Sequence, residues 1–348
     1  QPRLGLVAMS QQEVNVLSPD LSMHMESRAI PEPGVHEVLV AVKSVGICGS
    51  DIHYWSHGRI GPYVVESDLV LGHEASGEVV GLGSMVSKLK VGDRVALEPG
   101  VPCGDFSGCV QCREGRYNLC PDVRFFATPP IDGAFAQFVT LPEDFAHVLP
   151  GSMTFDEGAL MEPLSVGVWA ARKSSIDASS NVLIAGCGPV GLLTAMVARA
   201  SGAMSVVLFD INGDRREAAA ALGFIALDPS DLGSGSVTPD VFIDCSGNES
   251  AIATGIAVIA PAGTVVLVGM APHSIVGLPV DQIQGKELWV TGTFRYANTY
   301  PTAISLVERG LIDVASVVSA HYPLEDAEAA LAHSQSHPAD LKVIVTID

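Results

Sequence analysis

No apolar run in this chain reaches the roughly 18 residues of a membrane span, because Gly, Pro or a charged residue interrupts every candidate. Basic residues are scarce: 19 Lys and Arg stand against 39 Asp and Glu, a formal net charge of −20. Such a balance argues against a nucleic-acid or anionic-membrane surface, since both need clustered cations. Residues 1–12 lack the basic-then-apolar pattern of a secretory leader. Internal repeats and low-complexity tracts are missing as well, and the expectation is a cytoplasmic enzyme. What is present fits a globular protein, with 48% hydrophobic and 17% charged residues. At 348 residues the chain is long enough for two domains of about 100–200 residues each.

The seven cysteines are odd in number, which argues against a disulfide scaffold in a chain without a leader. Cys103, Cys109, Cys112 and Cys120 cluster, while Cys48, Cys187 and Cys245 stand apart. Short spacings of this kind point to metal.

Two textures follow one another. The first part is β-rich, with short alternating runs at 35–44, 75–80 and 94–97 bounded by Gly, Pro and Asp. From Asn181 strands and helices alternate. Strands are expected at 181–186, 205–210, 224–227, 241–244, 264–268 and 288–293, with helices at 190–200, 214–222 and 249–259. That alternation predicts an α/β domain with a doubly wound parallel sheet. The tail adds helical stretches at 302–308 and 324–333 and ends in the strand-like KVIVTI. The expected division is 1–163, then a nucleotide-binding domain over 164–293, then a return to the first domain over 294–348.

Gly186-Cys187-Gly188-Pro189-Val190-Gly191 follows a strand and opens a helix. A lone GxGxxG is weak. In this setting its glycines serve a tight turn, close approach of backbone to a pyrophosphate, and helix–strand packing, while the helix N-terminus faces the phosphates. Asp210 ends the next strand, about 20 residues on, where a carboxylate accepts from ribose hydroxyls and repels a 2′-phosphate. NAD is therefore expected over NADP. Arg215 lies close enough to oppose that preference, or to flank the adenine instead.

Two further clusters carry metal-ligand chemistry. Cys48, in GICGSDIHYW, offers a thiolate, and His73-Glu74, in GHE, an imidazole beside a carboxylate. A catalytic zinc takes about three protein ligands and leaves a position for water or substrate. Spacing alone does not join these segments, and a buried Cys and a paired His explain each equally well.

The segments GICGSDIHYW, GHE, MEPLSVG and GCGPVG together resemble the zinc-containing medium-chain dehydrogenases. FFATPP (125–130), DCSG (244–247) and FRYANTYP (294–301) are similar to the sorbitol (L-iditol), or polyol, dehydrogenase group within that family. The resemblance runs from about residue 30 to the end. It implies a GroES-like β-barrel catalytic domain made from both chain ends, with a Rossmann domain between. Cys48, His73 and Glu74 would be ligands of a catalytic zinc, and Glu162 either a fourth ligand or the partner of the zinc-bound water. Ser50 and His53 match positions that relay the alcohol proton towards solvent, roles that need only hydrogen-bond reach. Cys109, Cys112 and Cys120 match a structural zinc lobe through the spacing Cys-x2-Cys-x7-Cys. Cys103 departs from the pattern, since Phe106 occupies the place of the expected first thiol; a longer loop would still deliver it, and the alternative is a metal-free lobe.

Tyr54, Phe125, Thr128, Glu162, Arg295 and Tyr296 would surround the substrate. Arg295 is the most telling, because an apolar alcohol gains nothing from a guanidinium; its bland reading is an ion pair at the domain junction. Val268, Gly269, Met270, Thr293, Phe294 and Arg295 would line the nicotinamide, and the group is commonly tetrameric. The segment 228–239 is shorter than the family's usual helix, so one crossover is expected as a loop. The function these features imply is hydride transfer from a secondary hydroxyl of a polyol (sorbitol, xylitol or arabinitol type) to NAD, giving a ketose. An alcohol or threonine-type dehydrogenase is the alternative, and a catalytically silent binding protein a remote one.

Overall fold

The computed structural model describes residues 10–232, 238–271 and 275–348. Most of the segment examined for a leader, and residues 233–237 of the shortened crossover, lie outside the described residues. Among those described, no helix is long and apolar enough to cross a membrane. Two compact units emerge: Gln1–Glu162 together with Val318–Asp348, and Pro163–Val317.

The first unit is built on the strand Glu37–Gly46, whose alternating residues bury Val38, Val40, Val42 and Val45. It pairs antiparallel with Glu74–Leu82, with Phe138–Pro142 and with the late strand Lys342–Thr346. Arg94–Leu97 and Ala146–Val148 extend this sheet on one side and Val318–Pro323 on the other, to seven strands. A second sheet joins Met23–Ala29, Gln11–Leu17 and Leu69–Val70. Both sheets share one apolar core that includes Val16, Leu71, Val79, Phe135, Leu331 and Val345. Each such side chain contributes about 1.5–3 kcal/mol on burial, which is what fixes the strand registers.

The second unit carries a six-stranded parallel sheet. Its spatial order is Ile225–Leu227, Ser205–Phe209, Asn181–Ala185, Val241–Asp244, Thr264–Leu267, Trp289–Gly292. Numbered within the unit this is 3-2-1-4-5-6, the doubly wound order in which ligands bind where the winding reverses, beside the first and fourth strands. Helix ends are closed locally. The Asn248 side chain accepts from the N–H groups of Ser250 and Ala251 at the start of the helix Glu249–Val258. At its other end Lys286 Nζ donates to the carbonyls of Ile256, Ala257 and Ile259 at 2.7–2.9 Å, a cation where the helix dipole favours one. The described part of the crossover before Val241 contains a single 3₁₀ turn, Pro229–Asp231.

The chain returns to the first unit later than expected. Residues 294–317, including the helix Tyr300–Glu308, group with the second unit. Arg172 ties this segment to the second unit: from the helix Met161–Ser174 its Nη1 donates to Asn298 O and its Nη2 to Thr302 Oγ1, both at 2.9 Å, while Tyr300, Ala303 and Val307 are buried. The return begins with Val318–Pro323.

Candidate active site

Strand register joins the segments that spacing leaves apart. Gly46 lies opposite Glu74 in the pairing of Glu37–Gly46 with Glu74–Leu82, so residues just beyond 46 meet those just before 74. A side chain at position 46 would occupy the space of the Glu74 carboxylate. Cys48, His73 and Glu74 thereby place three ligand atoms within 4.8 Å of one another. Glu162 is buried in the first turn of its helix but stands outside that trio.

A fourth residue organises the trio. Cys48 caps the helix Gly49–His57, and Asp51, fully buried in its first turn, accepts from the Cys48 N–H at 2.9 Å and from the Gly72 N–H at 3.0 Å. The same carboxylate stands 3.6 Å from His73 Nδ1. Burial alone would lower the His73 pKa, yet Asp51 and then Cys48 hold it well above the ordinary histidine value. A ring turned by a carboxylate at Nδ1 presents Nε2 to a metal, and such a partner raises ligand basicity. The donor set of thiolate, imidazole and carboxylate suits zinc.

Lys342 supplies the counter-charge. It opens the last strand, is 2% exposed, and donates to both Glu74 oxygens at 2.7 and 2.8 Å and to Ile47 O at 2.8 Å. Burial would lower its pKa, but Glu74 first, then Cys48 and Glu162, keep it above the ordinary lysine value.

Of the other expected residues in this unit, Phe125 is buried with its ring 5.6 Å from that of His73. Tyr54 is buried in the helix Gly49–His57, Ser50 and Thr128 are half-buried, and His53 is exposed. In the second unit Arg295 and Asn298 both adopt left-handed backbone, φ 52° and 56°, uncommon for an arginine, and the Asn298 carbonyl is held by Arg172. The Arg295 guanidinium lies over the Phe294 ring at 4.8 Å, and Tyr296 is buried against Tyr300.

The cysteine lobe closes despite its spacing. Cys103, Cys109, Cys112 and Cys120 bring their sulfurs within 4.8 Å of one another, with Cys103 to Cys112 at 3.6 Å. Asp105 Oδ1 accepts from the N–H groups of Ser107 and Gly108, both at 2.9 Å, and folds the inserted residues into a turn that returns Cys103 to the set. Phe106, in the expected thiol's place, points outward at 67% exposure. Burial, then Cys109 and Cys103, push the Cys112 thiol up to about 12. Deprotonating four thiols at this separation needs a cation among them, and the donor set suits tetrahedral zinc. Tyr117 donates to the buried Glu98 at 2.6 Å, and His147 meets the same carboxylate at 2.8 Å, tying the lobe to the sheet.

The glycine motif stands at the winding reversal of the parallel sheet. Gly186 is left-handed, φ 96°, and any Cβ at Gly191 would overlap the Gly186 carbonyl oxygen. Gly188 caps the helix Pro189–Ala200, where a Cβ would meet only the Arg215 guanidinium at 3.9 Å, and Val190 is half-buried in the first turn. This is a cradle that side chains would fill, and it fits a pyrophosphate. Asp210 accepts from the Cys187 N–H and the Asn212 N–H, both at 2.8 Å, so the carboxylate expected at the ribose also braces the turn. Arg215 lies near Gly188, which fits a role beside the phosphates or adenine. Val268 and Gly269 donate backbone N–H groups to Asp244 O; Met270 and Phe294 are exposed, and the Thr293 N–H donates to Leu267 O.

Asp51, Lys342 and Arg172 escaped the sequence reading. Asp51 had a signal, the Cys48-x-x-Asp51 spacing of a capping box. Lys342 had a fainter one, a lone cation opening an apolar strand.

The alcohol dehydrogenase GroES-like domain model matches residues 34–151 and the zinc-binding dehydrogenase model residues 189–309. The chain is 44% identical over 340 residues to a sorbitol dehydrogenase of Rattus norvegicus, covering 94% of this chain and 93% of that protein. It is 45% identical over 323 residues to a probable D-xylulose reductase A of Emericella nidulans, covering 88% of each. Among solved structures, an oxidoreductase/dehydrogenase of unknown specificity from Escherichia coli superposes with a TM-score of 0.91 at 33% identity, over 97% of this chain and 99% of that one.

Proposed function

The chain belongs to the zinc-containing medium-chain dehydrogenase family, and from that premise we propose that it oxidises a secondary hydroxyl of a polyol to a ketose with NAD. The observation that carries the reading is the Cys48, His73 and Glu74 trio, aligned by Asp51, in a chain that also holds a braced dinucleotide cradle. When bound, zinc supplies Lewis acidity to the reacting hydroxyl and NAD supplies the hydride acceptor. The protein does the rest. Asp51 fixes the face that His73 presents, and Lys342 balances the charge of Glu74. Ser50 and His53 pass the alcohol proton outward, and Glu162 takes or holds a proton at the reacting oxygen's water. Asp210 binds the adenosine ribose and selects against a 2′-phosphate. Tyr54, Phe125, Thr128, Arg295 and Tyr296 contact the substrate, Arg295 and Tyr296 supplying donors for hydroxyls away from the reacting carbon. The four-cysteine lobe holds a structural zinc.

The substrate is a small molecule, and the relatives named for sorbitol and D-xylulose support the polyol class. We also read the enzyme as cytoplasmic, because seven free cysteines, four in one ligand set, suit a reducing compartment. Self-association is supported by the edge strand Trp289–Gly292, where Trp289 is 75% exposed, and the tetramer is what the resemblance to the polyol dehydrogenases implies. The test is metal analysis joined to an NAD-reduction screen of sorbitol, xylitol, arabinitol, galactitol and ethanol. Zinc-dependent turnover of a polyol well above ethanol is expected; ethanol as the best substrate would overturn the polyol assignment.

A further inference from the structure

We propose that His53 and His57 form a further cation site that takes a divalent d-block ion such as zinc, and that filling it removes His53 from proton transfer. The two imidazoles sit four residues apart on the nine-residue helix Gly49–His57, hence on one face. Their ring centroids are 5.1 Å apart and the planes tilt by 33°. The same His-x3-His spacing on a helix face holds zinc in metalloproteases. Both side chains are exposed, while Asp51 and Tyr54 of the same helix are buried.

Three features favour a cation here. The helix is pinned, since Trp55 Nε1 donates to Glu328 Oε1 at 3.3 Å and the ring packs against the core. A chelating pair held on a fixed helix loses less freedom on binding. His57 closes the helix, where Gly58 takes the left-handed cap, and the unpaired carbonyls of a helix C-terminus favour positive charge. The chain's net charge of −20 draws cations to its surface. Imidazole suits zinc, copper and nickel, and two such ligands leave the remaining positions to water. Neither histidine belongs to the Cys48 trio or the cysteine lobe, so the ion is additional to those expected there.

The binding part of this inference stands on the helix alone; its effect on rate rests on the relay role given to His53. The experiment separates them. Holoenzyme, His57→Asn and His53→Asn are each dialysed against zinc-buffered solutions spanning three decades and analysed for metal. Polyol oxidation by holoenzyme and His57→Asn is then measured at each zinc level, relative to its own rate without added zinc. The expected result is one more zinc per chain in the holoenzyme than in either variant. The holoenzyme rate falls at least about tenfold as that zinc binds, and His57→Asn resists. A positioned proton-transfer group contributes roughly 10²–10⁴-fold, and water recovers part of it. Extra zinc bound equally by all three, or by none, overturns the site. Extra zinc in the holoenzyme alone, at an unchanged rate, keeps the site and overturns the relay role of His53.

Discussion

Replacing Lys342 by Met keeps length and apolar stem but removes the ammonium from Glu74. Both side chains are almost wholly buried, at 3% and 1% exposure, and the bond pair is bidentate on the carboxylate. Breaking such a pair from one side costs about 3–5 kcal/mol, because the other charge is left in a poor solvent. Here the orphaned carboxylate also sits near Cys48 and Glu162, which act on the same ammonium. In the zinc-free protein the full cost is therefore expected, a fall of roughly 6–20 °C at about 2–4 °C per kcal/mol. In the zinc-loaded protein the metal's charge replaces the missing ammonium and recovers about 2–3 kcal/mol. By the closed cycle this recovered energy reappears as zinc affinity, roughly 30- to 150-fold tighter in Lys342→Met. The assay is four melting curves, wild type and variant with chelator and with zinc, plus a zinc competition titration. An equal drop with and without zinc, at unchanged affinity, would refute the reasoning, since Glu74 would then not be shared between lysine and metal.

Metal content near two zincs per chain is expected; Cys112→Ser should leave about one, and Cys48→Ala should lose the other, by elemental analysis. Initial rates should favour NAD over NADP by at least about tenfold, because a carboxylate facing a 2′-phosphate costs about 1.4 kcal/mol or more; equality would mean that Arg215 overrides Asp210. Arg295→Ala should weaken polyol kcat/KM by roughly 2–4 kcal/mol and a short alcohol's much less. Equal losses on both substrates, with a lower melting temperature, would make Arg295 structural.

The second unit was the more legible in sequence, because its signals are local. The strand expected at 241–244 is the strand found, and the helix expected over 190–200 begins one residue earlier, at Pro189. The three motif glycines announced their turn because each answers a demand of the backbone next to it. The metal trio was less legible, since Cys48 and His73 meet only through the register that sets Gly46 against Glu74, a non-local fact. Asp51 and Lys342 were harder to read for another reason: charged residues are ordinarily exposed, and the bonds of Asp51 to Gly72 and of Lys342 to Glu74 that accompany their burial span long stretches of sequence. The late return was not legible either, since the hold of Arg172 on Asn298 and Thr302 is one that no spacing reveals.

That Lys342 arrives on the last strand gives the metal trio a history during synthesis. All three ligands and Asp51 are made before the second unit begins, and the ammonium follows Glu74 by 268 residues. At about 5–20 residues per second the interval is roughly 13–54 s. Throughout it the nascent first unit lacks the strand that pairs with residues 44–46, and Glu74 has no cation of its own. Zinc arriving in this window meets a more negative set of donors than the completed enzyme offers.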